Sequence, residues 1–306
     1  MHSPILFLVF NRPEPTRRTF EAIRAARPPR LYVAADGPRA GRAGEAERCE
    51  ETRRIATAID WPCQLTTLLR TGNLGCKQAV SQAIDWFFEQ EEAGIILEDD
   101  CLPDQSFFGF CDEMLAHYAA EPRVALISGD NFQFGRRRSA SSYYFSRYAH
   151  IWGWASWRRV WRQYDREAAQ WPKFRSENGL QRVFGNRTTE IQHWTRIFDA
   201  LHAGQIDTWD YQVNLMLWTR GMLSILPEVN LVSNIGFGMD ATHTSGVNKF
   251  ADIPSSRIEL PLRHPAIIEA DSAADDYTAS QMFIRTLPSR VLARLRAGAR
   301  RLSGGS

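Results

Sequence analysis

The stretch Gly94-Ile95-Ile96-Leu97-Glu98-Asp99-Asp100 decides how this chain is read: a short apolar run that ends in three consecutive carboxylates. Ile95, Ile96 and Leu97 show no polar alternation, so the run reads as a strand buried on both faces of a sheet. The acids then leave the carboxyl edge of that sheet, where open α/β sheets bind ligands. Three adjacent carboxylates repel one another unless they are solvated or share a cation. A solvated acidic turn is the plainer alternative; the expectation carried forward is a divalent metal site.

Working outward toward the N-terminus, Ile5 to Phe10 is a continuous apolar strand. Asn11-Arg12-Pro13-Glu14-Pro15 then carries a helix-start signature, a capping side chain followed by proline, and the helix is expected from about Glu14 to Ala26. Arg12 sits at a strand end beside a positive helix terminus, a place that suits a phosphate and equally an ordinary surface arginine. Leu31 to Ala35 is a second strand, delivering Asp36 to the same edge. Ala43 to Ile59 reads as a helix, Gln64 to Leu69 as a third strand, and Asn73 to Glu89 as a third helix with Leu74, Val80, Ala83, Ile84, Phe87 and Phe88 as its core stripe. Helices between apolar strands predict an α/β fold with a mainly parallel central sheet covered on both faces.

Beyond the acids, Pro103 and Asp104 open a helix carrying Phe107, Cys111, Met114, Leu115 and Tyr118 at helical spacing, and Val124 to Ile127 is a further strand. Gly135-Arg136-Arg137-Arg138-Ser139 marks a compositional change from a nucleotide half, about 1–135, to an acceptor half, about 136–250. From Tyr143 to Trp171 aromatic residues crowd the sequence; most are expected in the core, with one or two lining a pocket. Trp157 and Trp161, four apart, are expected to share a helix face. Asp210 opens a helix running through Leu215 and Leu217, where an acid is also favoured by the helix dipole. The Gly/Thr/His-rich segment 234–246 has the composition of a loop that closes over a ligand, and His243 within it is a candidate metal ligand or pyrophosphate donor.

Composition bounds the rest. The chain has 306 residues, 44% of them apolar, enough for a sizeable core. The formal charge of +2 hides an asymmetry: residues 277–306 hold six arginines and no acid, so 31 of the 37 basic residues face 35 acids elsewhere, about −4. A body-wide nucleic-acid surface is not expected. No apolar run reaches the ~20 residues of a membrane span, and the five cysteines show no C-x-x-C spacing, which points to reduced thiols in a cytoplasm. Residues 251–306 read as a Pro- and Asp-containing, irregular extension ending in a basic amphipathic helix. There Val291, Leu292, Leu295, Ala299 and Leu302 oppose Arg290, Arg294, Arg296, Arg300 and Arg301, a face that suits an anionic membrane surface or packing on the domain.

Together these pieces resemble the nucleotide-sugar glycosyltransferases of the GT-A fold, the N-acetylglucosaminyltransferase I type and its bacterial relatives, over roughly residues 4–246. The resemblance is carried by Pro4-Ile5-Leu6 through Asn11-Arg12-Pro13, the strand end at Asp36, Ile95 to Asp100 with Pro103-Asp104 and Phe107-Phe108, Gly153-Trp154, and Trp209-Asp210. It implies that Arg12 touches the nucleotide diphosphate, Asp36 the base (uracil), Asp99 the ribose and Glu98 the donor sugar. It further implies that Asp100 holds a divalent metal and that Asp210 is the general base. The family's N-terminal membrane anchor has no counterpart at Met1 to Pro4, and the part beyond about 250 does not align, so acceptor and compartment do not transfer.

The chemistry is coherent on its own terms. A leaving sugar-nucleotide diphosphate needs its charge neutralised, which a bound cation supplies, and oxygen ligands select Mg2+ or Mn2+ over zinc. One carboxylate opposite the leaving group gives direct displacement with inversion, while a retaining path stays open. The expected partners are a nucleotide-sugar donor and a glycan, lipid-linked or protein acceptor, with peripheral membrane contact through the terminal helix. A sugar-1-phosphate nucleotidyltransferase is the competing enzyme reading, but it calls for a glycine-rich basic loop after the first strand, which Phe10 to Glu14 is not. A non-catalytic carbohydrate- or nucleotide-binding protein is the third reading.

Overall fold

The computed structural model describes residues 1–236 and 249–283. His243 and the basic terminal helix lie outside the described residues.

The first half alternates as expected: β1 (Ile5–Val9), α1 (Pro13–Ala26), β2 (Arg30–Ala35), α2 (Glu45–Ala56), β3 (Gln64–Leu69), α3 (Cys76–Gln90) and β4 (Ala93–Glu98). Pro13 starts α1, and Arg27 ends it with a left-handed φ of 51° just before Pro28 and Pro29. β5 (Cys101–Pro103) follows the acids, and α4 (Gln105–His117) starts where the Asp104 side chain accepts the Ser106 N–H at 2.8 Å. Then come β6 (Val124–Ser128), β7 (Tyr143–Ser146), β8 (Trp154–Trp157) and the short helices α5 (Arg158–Trp161), α6 (Trp171–Ser176) and α7 (Gly179–Phe184). α8 (Thr188–His202), α9 (Tyr211–Arg220), β9 (Leu223–Pro227), β10 (Val232–Asn234) and α10 (Ser272–Met282) complete the described chain.

Eight strands form one sheet in the order β3-β2-β1-β4-β8-β6-β9-β7. β1, β2, β3 and β4 are parallel, as are β6 and β9; β8 runs antiparallel to both β4 and β6, and β7 antiparallel to β9. The expected α/β class and mainly parallel sheet are therefore observed. Ile95, Ile96 and Leu97 have no exposed surface, and each such side chain contributes about 1.5 to 3 kcal/mol by burial. The chain steps from β1 outward through β2 to β3 and then returns to the far side of β1 as β4. Right-handed crossovers put α1 and α2 on one face and α3 on the other, and α1 packs beside α2.

Three details depart from expectation. Trp157 and Trp161 do not share a helix: Trp157 ends β8 and only Trp161 lies in α5, although both are buried in the core. Leu74 precedes α3 and is 44% exposed, so it leaves the core stripe. The segment past Phe250 is not uniformly irregular up to the tail, because α10 packs against β7 and the buried Gln133 side chain donates to Ala274 O at 3.1 Å and Thr278 Oγ1 at 2.9 Å.

Candidate active site

The reversal of strand order at β1 and β4, where the chain stops stepping outward through β2 and β3 and resumes on the far side of β1, is a topological switch point, the place where helix-flanked parallel sheets bind ligands at their carboxyl ends. Leu8 of β1 registers with Glu98 of β4, so the two strands finish side by side, one delivering Arg12 and the other Glu98, Asp99 and Asp100. Arg12 donates to both oxygens of Asp99, and its Nη1 lies 3.0 Å from Asp100 Oδ2. The acids thus share a cation that belongs to the chain. The Thr19 hydroxyl donates to Asp99 O at 3.0 Å, fixing the turn from α1 as well. Burial first, then the charges of Asp100 and Asp99, push the Glu98 carboxyl up to about 8.

The ribbon of β5 and β10 lies over this edge. Ile235 N donates to Asp100 O at 2.9 Å, and a Cβ on Gly236 would meet Asp100 Oδ2 at 2.1 Å and Arg12 Nη1 at 2.9 Å. A side chain there would have to displace the Asp100 carboxylate and the Arg12 guanidinium. Gly236 therefore lies beside the acids, and His243 lies outside the described residues.

Asp36 leaves the carboxyl end of β2, buried and closely bonded. Its carboxylate accepts from the amides of Gly37 (2.9 Å) and Leu74 (3.0 Å) and from Asn73 Nδ2 (2.9 Å), fastening the loop before α3 to the sheet edge. Burial raises its proton affinity and the Leu74 and Gly37 amides oppose the shift. A Cβ on Gly37 would come within 2.5 Å of the Gly72 backbone, so the two loops touch directly. A neighbouring tie was not read from the sequence: Glu45 accepts from Asn11 Nδ2 at 3.0 Å and from the Arg39 amide at 2.7 Å, bracing the segment that leads into Arg12.

Asp210 comes from the second half of the chain. It caps α9, accepting from the Tyr211 amide at 2.9 Å and from the Thr208 hydroxyl, and Trp209 beside it stacks on Trp154 at 5.9 Å between ring centres. One turn further along α9, Asn214 Oδ1 accepts the Ala149 N–H at 2.9 Å, anchoring the loop that precedes β8. Cys76, at the start of α3, registers the convergence. Burial and the charges of Glu98, Asp210, Asp207 and Asp36 together push its thiol up to about 12. Arg12, Asp36, Glu98, Asp99 and Asp100 therefore gather at the carboxyl ends of β1, β2 and β4, and the charge of Asp210 bears on Glu98 and Cys76.

No family model matches the chain, and no curated protein matches it. Among solved structures, the galactosyltransferase LgtC in complex with donor and acceptor sugar analogues is 10% identical, with 70% of each chain covered and a TM-score of 0.37. HddC from Yersinia pseudotuberculosis is 9% identical over 52% of this chain and 79% of its own, with a TM-score of 0.30. A cytidylyltransferase from Leptospira borgpetersenii is 10% identical over 54% of this chain and 64% of its own, with a TM-score of 0.31. Likenesses this distant carry no argument about activity, which rests on the crevice itself.

Two features of the crevice were not read from sequence. Asp207 accepts the Lys77 amide at 3.1 Å and so joins the start of α3 to the segment before α9, while Lys77 Nζ pairs with Glu167 at 2.7 Å. Asp130, just past β6, accepts the Trp152 amide at 3.2 Å and lies 3.0 Å from Nδ1 of the buried His150. That contact has ion-pair distance without hydrogen-bond alignment. Both features depend on pairs far apart in the chain, and no local pattern announces them.

For a divalent cation the donor set has oxygen chemistry suited to Mg2+ or Mn2+. Among the described residues no group of three or more His, Cys, Asp or Glu side chains is placed to hold a metal. Asp100 alone would bind it in the manner magnesium favours, one or two carboxylates completed by substrate phosphates. Among the described residues no helix is long and apolar enough to cross a membrane.

Proposed function

We propose that this protein is a glycosyltransferase that moves a sugar from a nucleoside diphosphate donor, a uridine diphosphate sugar, to a hydroxyl acceptor with inversion. One observation carries the reading: Arg12 and the Glu98-Asp99-Asp100 triplet share the switch-point crevice, with Asp210 bearing on it from the opposite half.

In this reading the donor diphosphate lies at the Arg12 guanidinium, and Asp100 would hold a divalent cation whose charge would offset that of the departing diphosphate. Arg12 exchanges its carboxylate partners for phosphate oxygens, which frees Asp99 for the ribose. Asp36 and the loop it fastens face the base. Glu98, whose proton affinity is raised by burial and by the charges of Asp100 and Asp99, faces the donor sugar. Asp210, fixed by Thr208 and the Tyr211 amide, takes the acceptor proton as the acceptor oxygen bonds to the anomeric carbon. The bond from that carbon to the phosphate oxygen breaks, and its electron pair leaves with the nucleoside diphosphate. A positioned base of this kind contributes about 10²- to 10⁴-fold.

The test is product analysis with a panel of nucleoside diphosphate sugars, Mn2+ and simple glycan acceptors. Release of nucleoside diphosphate coupled to glycoside formation is the expected result. Pyrophosphate formed from a sugar phosphate and a nucleoside triphosphate would establish nucleotidyl transfer instead, and donor binding without turnover would leave a binding protein.

A further inference from the structure

β3 closes one end of the sheet, and nothing among the described residues pairs with its outer edge. The amides of Gln64 and Arg70 donate inward to Pro29 O and Ala35 O, so by alternation the N–H and C=O groups of Leu65, Thr67 and Leu69 point outward. Their side chains share one face by the same alternation, and Leu65 and Leu69 are 36% and 43% exposed. The strand carries no charge, proline or bulge, which are the usual devices that blunt an edge.

The edge is self-complementary. Centred on Thr67, an antiparallel pairing with a second copy sets Thr67 against itself and Leu65 against Leu69 of the other copy. All three are outward-facing positions, so each pair exchanges two hydrogen bonds. The leucines then form cross-strand pairs on the face that is bare in the monomer, and Arg70 falls opposite Gln64 rather than a like charge. A two-fold contact uses the same patch on both partners, as this one does. We infer that the protein forms a homodimer through β3, joining two sheets into one continuous sheet. The carboxyl-edge crevices remain open, because the contact uses only the lateral edge.

Light scattering on the full chain at rising concentration should read twice the chain mass. Thr67→Pro removes an outward N–H without touching the β2 ladder, and Thr67→Asp sets like charges on the axis; both should halve the mass and keep the melting temperature of a dilute wild-type sample. Paired Cα atoms about 5.5 Å apart suit a disulfide, so Thr67→Cys should cross-link on oxidation, whereas Leu65→Cys should do so only when combined with Leu69→Cys. Wild type treated alike controls for Cys63 and Cys76. A monomer at every concentration, a Thr67→Asp variant that stays dimeric, or cross-linking by Leu65→Cys alone would each overturn the inference.

Discussion

Arg12 and Asp100 face each other at 3.0 Å across the carboxyl ends of β1 and β4, and the same guanidinium holds Asp99. The arginine supplies the positive charge that lets three consecutive acids coexist at a buried strand end. Removing one member of a buried ion pair leaves the others uncompensated.

Arg12→Ala should therefore destabilise the fold toward the lower end of about 3 to 5 kcal/mol, since the guanidinium keeps 20% of its surface in water. Mn2+ should raise the melting temperature of the variant more than that of wild type, the ion taking the place of the lost charge. Equal Mn2+ responses in the two proteins would disconnect Arg12 from the cation site.

Glu45 gives a pH prediction. Hydrogen bonding from Arg39 holds its carboxyl down at about 2, below the ordinary 4.5. A depressed carboxylate stabilises the fold above its unfolded value, and the contribution is lost as pH falls from about 4.5 toward 2. Glu45→Gln should melt below wild type at neutral pH, with the gap narrowing across that window. A gap that stays constant from pH 7 to pH 2 would mean that the Arg39 contact carries no linked stability.

Much of the first half was legible because β1, β2 and β4 are buried on both faces and its helices carry an apolar stripe; Gln64 to Leu69, though more exposed, also falls where it was read. β7 and β8 were not, because a fully buried four-residue strand such as Trp154-Ala155-Ser156-Trp157 has neither the length nor the alternation of a recognisable one. The acids at 98 to 100 could be placed on an edge from local pattern alone. That Arg12 would be their counter-ion depends on β4 lying beside β1, a fact of topology 87 residues apart in the chain. The partners of Asp36 were hidden for the same reason, since Asn73 and Leu74 come from another loop.

Asp36 tests whether a tightly bonded carboxylate can also serve the base. Asp36→Asn cannot accept the same set of donors with both side-chain atoms, so a buried bond is lost at a cost of about 1 to 3 kcal/mol. If the carboxylate and its loop contact the base, affinity for uridine diphosphate should fall while affinity for pyrophosphate with Mn2+ is kept. Calorimetry of both ligands decides; parallel losses would mean that Asp36 only shapes the loop.

Asp210 is the position on which the proposed chemistry turns. Asparagine is as good a helix cap as aspartate, so Asp210→Asn should change stability by less than about 1 kcal/mol and keep the turn from Thr208 into α9. The amide cannot accept the acceptor proton. Glycoside formation should fall about 10²- to 10⁴-fold, while donor affinity with Mn2+ stays near wild type, because Asp210 reaches the crevice from the half opposite Arg12. Measuring turnover, donor affinity and melting on the one variant separates the possible roles. A lowered melting temperature with turnover retained would make Asp210 a cap alone, and transfer at the wild-type rate would remove it from the base role.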